Sequence, residues 1–183
     1  MRIFRRIIYL LLFPAKEWKL IAEENNSRKT IFLKFVVPLL FAMTGAIMLG
    51  ALIYASLDVF SVLFWIATLW ASLCVGLFIS AFFVTEFMAV ELDRREHKRD
   101  FALMAYSSIA AYLMIIIVFL SPLIEFIVLA LYSCYLYWSG IPHLIQIEDK
   151  LRMKYGLLSL FVTATVYSLM FFVFSKIFKA IFL

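Results

Sequence analysis

Five long apolar stretches fill most of this chain, at about 31–55, 59–85, 101–120, 122–140 and 155–175. Each is long enough to cross a bilayer, because about 20 helical residues at roughly 1.5 Å rise span a hydrocarbon core roughly 30 Å thick. Inside lipid only helices and closed barrels satisfy every backbone N–H and C=O group. No strand alternation recurs at the spacing of an outer-membrane barrel. The expected fold is therefore all-α: a polytopic bundle of five transmembrane helices, preceded by an N-terminal interfacial amphipathic helix.

Composition excludes the soluble alternatives. Hydrophobic residues make up 66% of the 183 and the mean hydropathy is +1.03. A soluble domain is nearer half apolar. Twenty Phe and four Trp fit helices that face lipid. Residues 1–30 form a cytoplasmic interfacial segment and 31–183 the membrane domain, with no stretch left for a second globular unit.

The net charge is +5, and its distribution carries more than its size. Of the 17 basic residues, all but Lys176 and Lys179 fall in residues 1–34, in the loop after the second stretch, or in the loop after the fourth. With five spans these three segments share one side. The positive-inside rule then puts the N-terminus in the cytoplasm and the C-terminus outside. Orientation and anionic lipid account for the basic loops, so no nucleic-acid partner is expected.

Near the N-terminus, Arg2, Arg5 and Arg6 precede a short apolar run, but Pro14, Lys16 and Glu17 follow with no small-residue cleavage site. The segment reads as retained rather than as a cleaved signal. Pro14 restarts the chain as a helix with Trp18, Ile21 and Ala22 on one face, and Trp18 as its interface anchor. Asp58 is placed to cap the second span. Gly140 and Pro142 are placed to stop the fourth.

Chemistry is sparse. Intramembrane carboxylates are functional candidates by default. Glu86, at the inner end of the second span, is the stronger one. Glu125 reads as a first-turn carboxylate complementing its helix dipole. Glu86, Glu91, Arg94, Arg95 and Trp18 are taken as candidate contacts to a partner or substrate. His97 sits among four basic neighbours with no second His or Cys at ligand spacing, and His143 stands alone, so no metal is expected. Cys74 and Cys134 read as packing residues. No P-loop, hydrolase elbow, zinc-protease or dinucleotide pattern occurs, and neither catalytic residues nor cofactors are assigned.

Helices in lipid associate through small residues at i, i+4 spacing. Ala42, Ala46 and Gly50 form such a row in the first span, and Ser72, Gly76 and Ser80 in the second. Ser107 and Ala111, and Ala164 and Ser168, do so in the third and fifth. These rows are expected to face the bundle, with a homo-oligomer seam as the alternative.

Two segments carry a family resemblance. Pro14-Ala-Lys-Glu-Trp18 with Ile21, Glu23 and then Phe35-Val-Val-Pro38-Leu is one. Tyr132-Ser-Cys-Tyr-Leu-Tyr-Trp-Ser-Gly140-Ile-Pro142 is the other. Together they resemble bacterial members of the Yip (Ypt-interacting protein) family. The resemblance implies an inner-membrane protein without catalysis. Eukaryotic relatives are associated with Rab-type GTPases and membrane traffic, but this chain lacks their long cytoplasmic N-terminal domain. Two functions follow as expectations. One is a scaffold that organises lipid or protein partners through its cytoplasmic face; the other is a transporter or channel for a small solute, ion or lipid. An enzyme acting on lipid ranks third.

Overall fold

The computed structural model describes residues 2–24, 26–54, 58–92, 97–121, 128–145, 147 and 149–182. Nine α-helices account for nearly all of them: α1 (Arg2–Leu12), α2 (Pro14–Glu24), α3 (Arg28–Ile31), α4 (Val37–Tyr54), α5 (Val59–Leu92), α6 (His97–Ser107), α7 (Ile109–Leu120), α8 (Val128–Leu144) and α9 (Asp149–Phe182). Among the described residues, four stretches are long and apolar enough to cross a membrane: Arg28–Tyr54, Val59–Phe87, His97–Leu120 and Lys150–Ile181. α8 is described over 17 residues. The stretch before it, 122–127, which includes Pro122 and Glu125, lies outside the described residues.

Local chemistry explains the boundaries. Ser27 opens α3, its Oγ accepting from the Thr30 N–H at 3.2 Å. α3 and α4 are joined through a π-turn, Phe32–Val36, in which the Val37 N–H reaches back to the Phe32 carbonyl. That extra residue falls just before Pro38, whose ring would clash with the carbonyl four residues earlier. Asp58 caps α5 as expected, accepting from the Ser61 N–H at 2.7 Å. α6 and α7 meet at Ser108. There the Ala111 N–H donates out of the helix to Ser133 Oγ on α8, at 2.9 Å.

The fourth apolar stretch does not stop at Gly140. α8 continues through Pro142 to Leu144. Pro142 has no N–H to give the Trp138 carbonyl, and the Arg152 guanidinium approaches that oxygen instead, at 3.5 Å. Gly140 has a packing role. A Cβ there would stand 2.5 Å from a Leu103 methyl and 2.8 Å from the Trp18 ring. The absent side chain therefore admits two neighbours, and the glycine is not a helix terminator.

α5 and α9 form the longest pairing and run antiparallel. Thr85 neighbours Tyr155 across Asp100, Gly76 abuts Tyr167, and Trp65 stacks on Phe171. α4 lies along α7, their C-termini together: Gly50 abuts Phe119, and the Tyr54 hydroxyl donates to the Leu120 carbonyl at 2.7 Å. α6 is the centre of the bundle, buried at every residue from Asp100 to Ser107. Around it run Leu10, Trp18, Phe35, Leu40, Met43, Leu77, Tyr112, Leu136, Ile141 and Tyr155 as one continuous core. Outside, Phe41, Leu52, Phe60, Phe82, Phe87, Leu131, Leu157, Phe161 and Phe172 are exposed, an apolar coat suited to acyl chains.

The small-residue rows divide. Ser72, Gly76 and Ser80 all face inward, and a Cβ on Gly76 would meet the Tyr167 ring at 2.7 Å. In α4, Ala46 and Gly50 face inward but Ala42 is exposed. Four residues advance a helix about 40° past a full turn, so a strict i, i+4 row walks off the seam. The buried positions Leu39, Met43, Ala46 and Gly50 alternate steps of four and three. Ser107 is buried, whereas Ala164 and Ser168 are exposed. The inner face of α9 is instead Tyr155, Gly156, Ser159 and Val166.

Candidate functional site

Charge gathers where α1, α2, α3, the end of α5, the start of α6, the end of α8 and the start of α9 meet. The α1–α2 hairpin is fastened to the bundle by two bonds to α8. Trp18 Nε1 donates to Ser139 Oγ at 3.0 Å, and the Tyr132 hydroxyl donates to the Leu11 carbonyl at 2.6 Å. Trp18 is fully buried, which overturns its expected place as an interface anchor. Its ring fills the notch left by Gly140, and its one polar atom finds a partner there. A large aromatic of this kind stabilises far more inside than at a headgroup surface.

Arg6 is the hub of the hairpin. Its Nε donates to Glu17 Oε1 at 2.9 Å, and its terminal nitrogens take Glu24 in a fork, one bond at 2.8 Å. The same guanidinium lies 5.7 Å from the centre of the Tyr106 ring on α6. The hydrogen bonds with Glu24 hold Arg6 above its ordinary range, and they lower the Glu24 carboxyl in return. Glu17 is buried, so its charge is tolerated only because Arg6 meets it.

Beside this network lies a cleft of about 570 Å³. Arg5, Arg6, Tyr9, Glu17 and Glu24 form the hairpin wall, and Lys34, Phe35 and Tyr106 the opposite one. A small neighbouring crevice runs between Ala22, Ile31, Lys98, Arg99 and Leu144, tying the hairpin to the α6 and α8 ends. Arg99 donates to the Leu144 carbonyl at 3.4 Å. His143 is held below its usual value by burial and by Lys19 and Arg152 nearby.

A second polar cluster lies beneath this surface. Asp100, 2% exposed, accepts from Thr85 Oγ1 at 2.8 Å and from the Tyr155 hydroxyl at 3.1 Å. It joins α5, α6 and α9 at one point. The sequence reading assigns Asp100 no role. The available signal was its position directly before the apolar run that starts at Phe101.

Of the candidate contacts, Glu86 sits at this end, its Oε1 3.9 Å from His97 Nε2. Glu91 belongs to α5 by its backbone. Arg94 and Arg95 lie outside the described residues. Deeper in the bundle, four Ser and Thr hydroxyls bond their own helices, Ser72 to the Thr68 carbonyl, Ser80 to Gly76, Ser159 to Tyr155 and Thr163 to Ser159, at 2.6–2.7 Å, while Thr68 Oγ1 is buried without a partner among the described residues.

Long apolar helices with an apolar outer coat, closed at one end by charge, define a multi-pass integral membrane protein. The chain belongs to the Yip1 domain family, whose model matches residues 8–177. No curated protein and no solved structure matches it. The family is one of non-enzymatic membrane proteins.

Proposed function

We propose that this protein is a non-enzymatic scaffold that organises lipid or protein partners through its charged end. In this reading the chain crosses the membrane five times. α8, described over Val128–Leu144, is in this reading the crossing beyond the four long apolar helical stretches. The N-terminus and the charged end face the cytoplasm, and Lys176 and Lys179 lie outside. The family resemblance favours the inner membrane of a bacterium. Residues 1–30 act as part of this face, not as a separate unit.

One observation carries the reading: helix ends far apart in sequence converge, so the basic segments at 2–34, 97–99 and 150–154 form a single surface. Ser72, Ser80, Ser159 and Thr163 spend their hydroxyls on their own helix carbonyls, which favours a scaffold over a transporter, while Thr68 Oγ1 and the Tyr112, Tyr137 and Tyr167 hydroxyls are buried without a hydrogen-bond partner among the described residues. The test is charge reversal at the exposed Lys16, Lys98 and Lys150, with reversal at Lys176 and Lys179 as the control. Cross-linked partners should be lost from the first variant and kept by the second. Identical partner sets for both, or solute flux through liposomes that depends on Glu86, would overturn the scaffold.

A further inference from the structure

The cleft beside Arg6 has a composition that selects a ligand. Three cations and two carboxylates line it, but both carboxylates are turned onto Arg6. Arg5 and Lys34 are left facing the opening, exposed and without an ion pair among the described residues. Arg5 is steadied at the rim by the Tyr9 ring, 5.1 Å from its guanidinium carbon. Lys34 stands on the π-turn at the start of the first span. The site therefore presents two unpaired positive groups from two different walls, above a floor made by the Arg6 ion-pair cluster.

The surroundings decide what kind of anion fits. Leu20 and Tyr9, both on the cleft wall, are 49% and 41% exposed, and Leu33 beside Lys34 is 51% exposed. Exposed apolar side chains thus stand on the cleft wall and next to Lys34 in the chain, where the first apolar stretch begins. A water-soluble phosphate would leave this apolar rim uncovered. A phospholipid would cover it with glycerol and the first acyl carbons while its phosphate meets Arg5 and Lys34.

We infer that this cleft binds the phosphate of an anionic phospholipid. The inference rests on the charged end lying at the membrane surface, as proposed above, and it needs no protein partner. Phosphate-bearing headgroups are recognised by Arg and Lys together, and each cation near an anionic headgroup strengthens association.

The test uses the full chain in phosphatidylcholine vesicles containing spin-labelled phosphatidylglycerol or spin-labelled phosphatidylcholine. The wild type should retain phosphatidylglycerol selectively. Arg5→Gln with Lys34→Gln should lower that selectivity about tenfold, while Lys176→Gln with Lys179→Gln leaves it unchanged. Both substituted pairs are exposed, and unchanged tryptophan fluorescence confirms that the fold persists. Equal selectivity in the wild type and the Arg5/Lys34 variant would overturn the inference. So would displacement of the labelled lipid by millimolar glycerol 3-phosphate, which would make the ligand a soluble phosphate. The Lys16, Lys98 and Lys150 reversal separates the two readings: it removes protein partners if the scaffold is right and leaves the Arg5- and Lys34-dependent step intact.

Discussion

Gly50 and Gly76 occupy equivalent places, each where one helix presses against another, yet they meet different neighbours. A Cβ on Gly50 would lie 2.1 Å from the Phe119 carbonyl oxygen, and backbone cannot turn aside. A Cβ on Gly76 would meet only the side of the Tyr167 ring. Gly50→Ala should therefore force α4 and α7 apart and lower stability by about 2–3 kcal/mol, toward the upper end for overpacking. Gly76→Ala should cost about 1 kcal/mol, since the ring can move. Reversible unfolding in mixed micelles measures both. The importance of small residues was legible in the sequence, because lipid offers helices little reason to associate beyond close packing. Which small residues face inward was less so. Ala42, Ala164 and Ser168 have the right spacing, but the seam depends on where a partner helix lies, and spacing alone does not encode that.

The α1–α2 hairpin is the element that sequence reasoning understood least. Its helices and the break at Pro14 were readable, because apolar spacing and a proline are local signals. Its docking was not, because Trp18 on a charged helix looks the same whether it meets headgroups or the notch at Gly140. What holds the hairpin predicts how it comes loose. Arg6→Met leaves the buried Glu17 carboxylate without its cation and should cost roughly 3 kcal/mol, the lower end for breaking a buried pair. Adding Glu17→Leu should recover part of that loss. Hydrogen exchange over residues 2–24 would report both effects. The pH dependence has a definite sign. Glu24 titrates below its ordinary value of 4.5 because Arg6 holds its anion. Its contribution is complete above about pH 4.5 and is lost as pH falls through its lowered value. Protection of the α1 amides, taken relative to their intrinsic exchange rate at each pH, should accordingly fall below pH 4.5 in the wild type, and much less so in a Glu24→Gln variant.

At the scale of the whole molecule, the membrane class and the apolar runs were plain in the sequence, since a bilayer imposes length and polarity on every segment that crosses it. The order of helices around α6 was not, nor was the buried Asp100 that joins three of them, because both depend on contacts between segments far apart in the chain. The proposed five crossings make a definite prediction about the two ends. Single cysteines placed near residue 3 and near residue 180 should be labelled by an impermeant maleimide from opposite sides of sealed vesicles. Labelling of both from one side would exclude an odd number of crossings. The α5–α9 pairing bears on how such a molecule is made. α5 leaves the ribosome well before α9, yet the two share the longest interface in the bundle. Until α9 is synthesised, the face bearing Ser72, Gly76 and Ser80 has no proper mate. Biogenesis therefore includes an interval in which a nearly finished protein waits, unzipped along its longest seam, for insertion machinery or lipid to shield it.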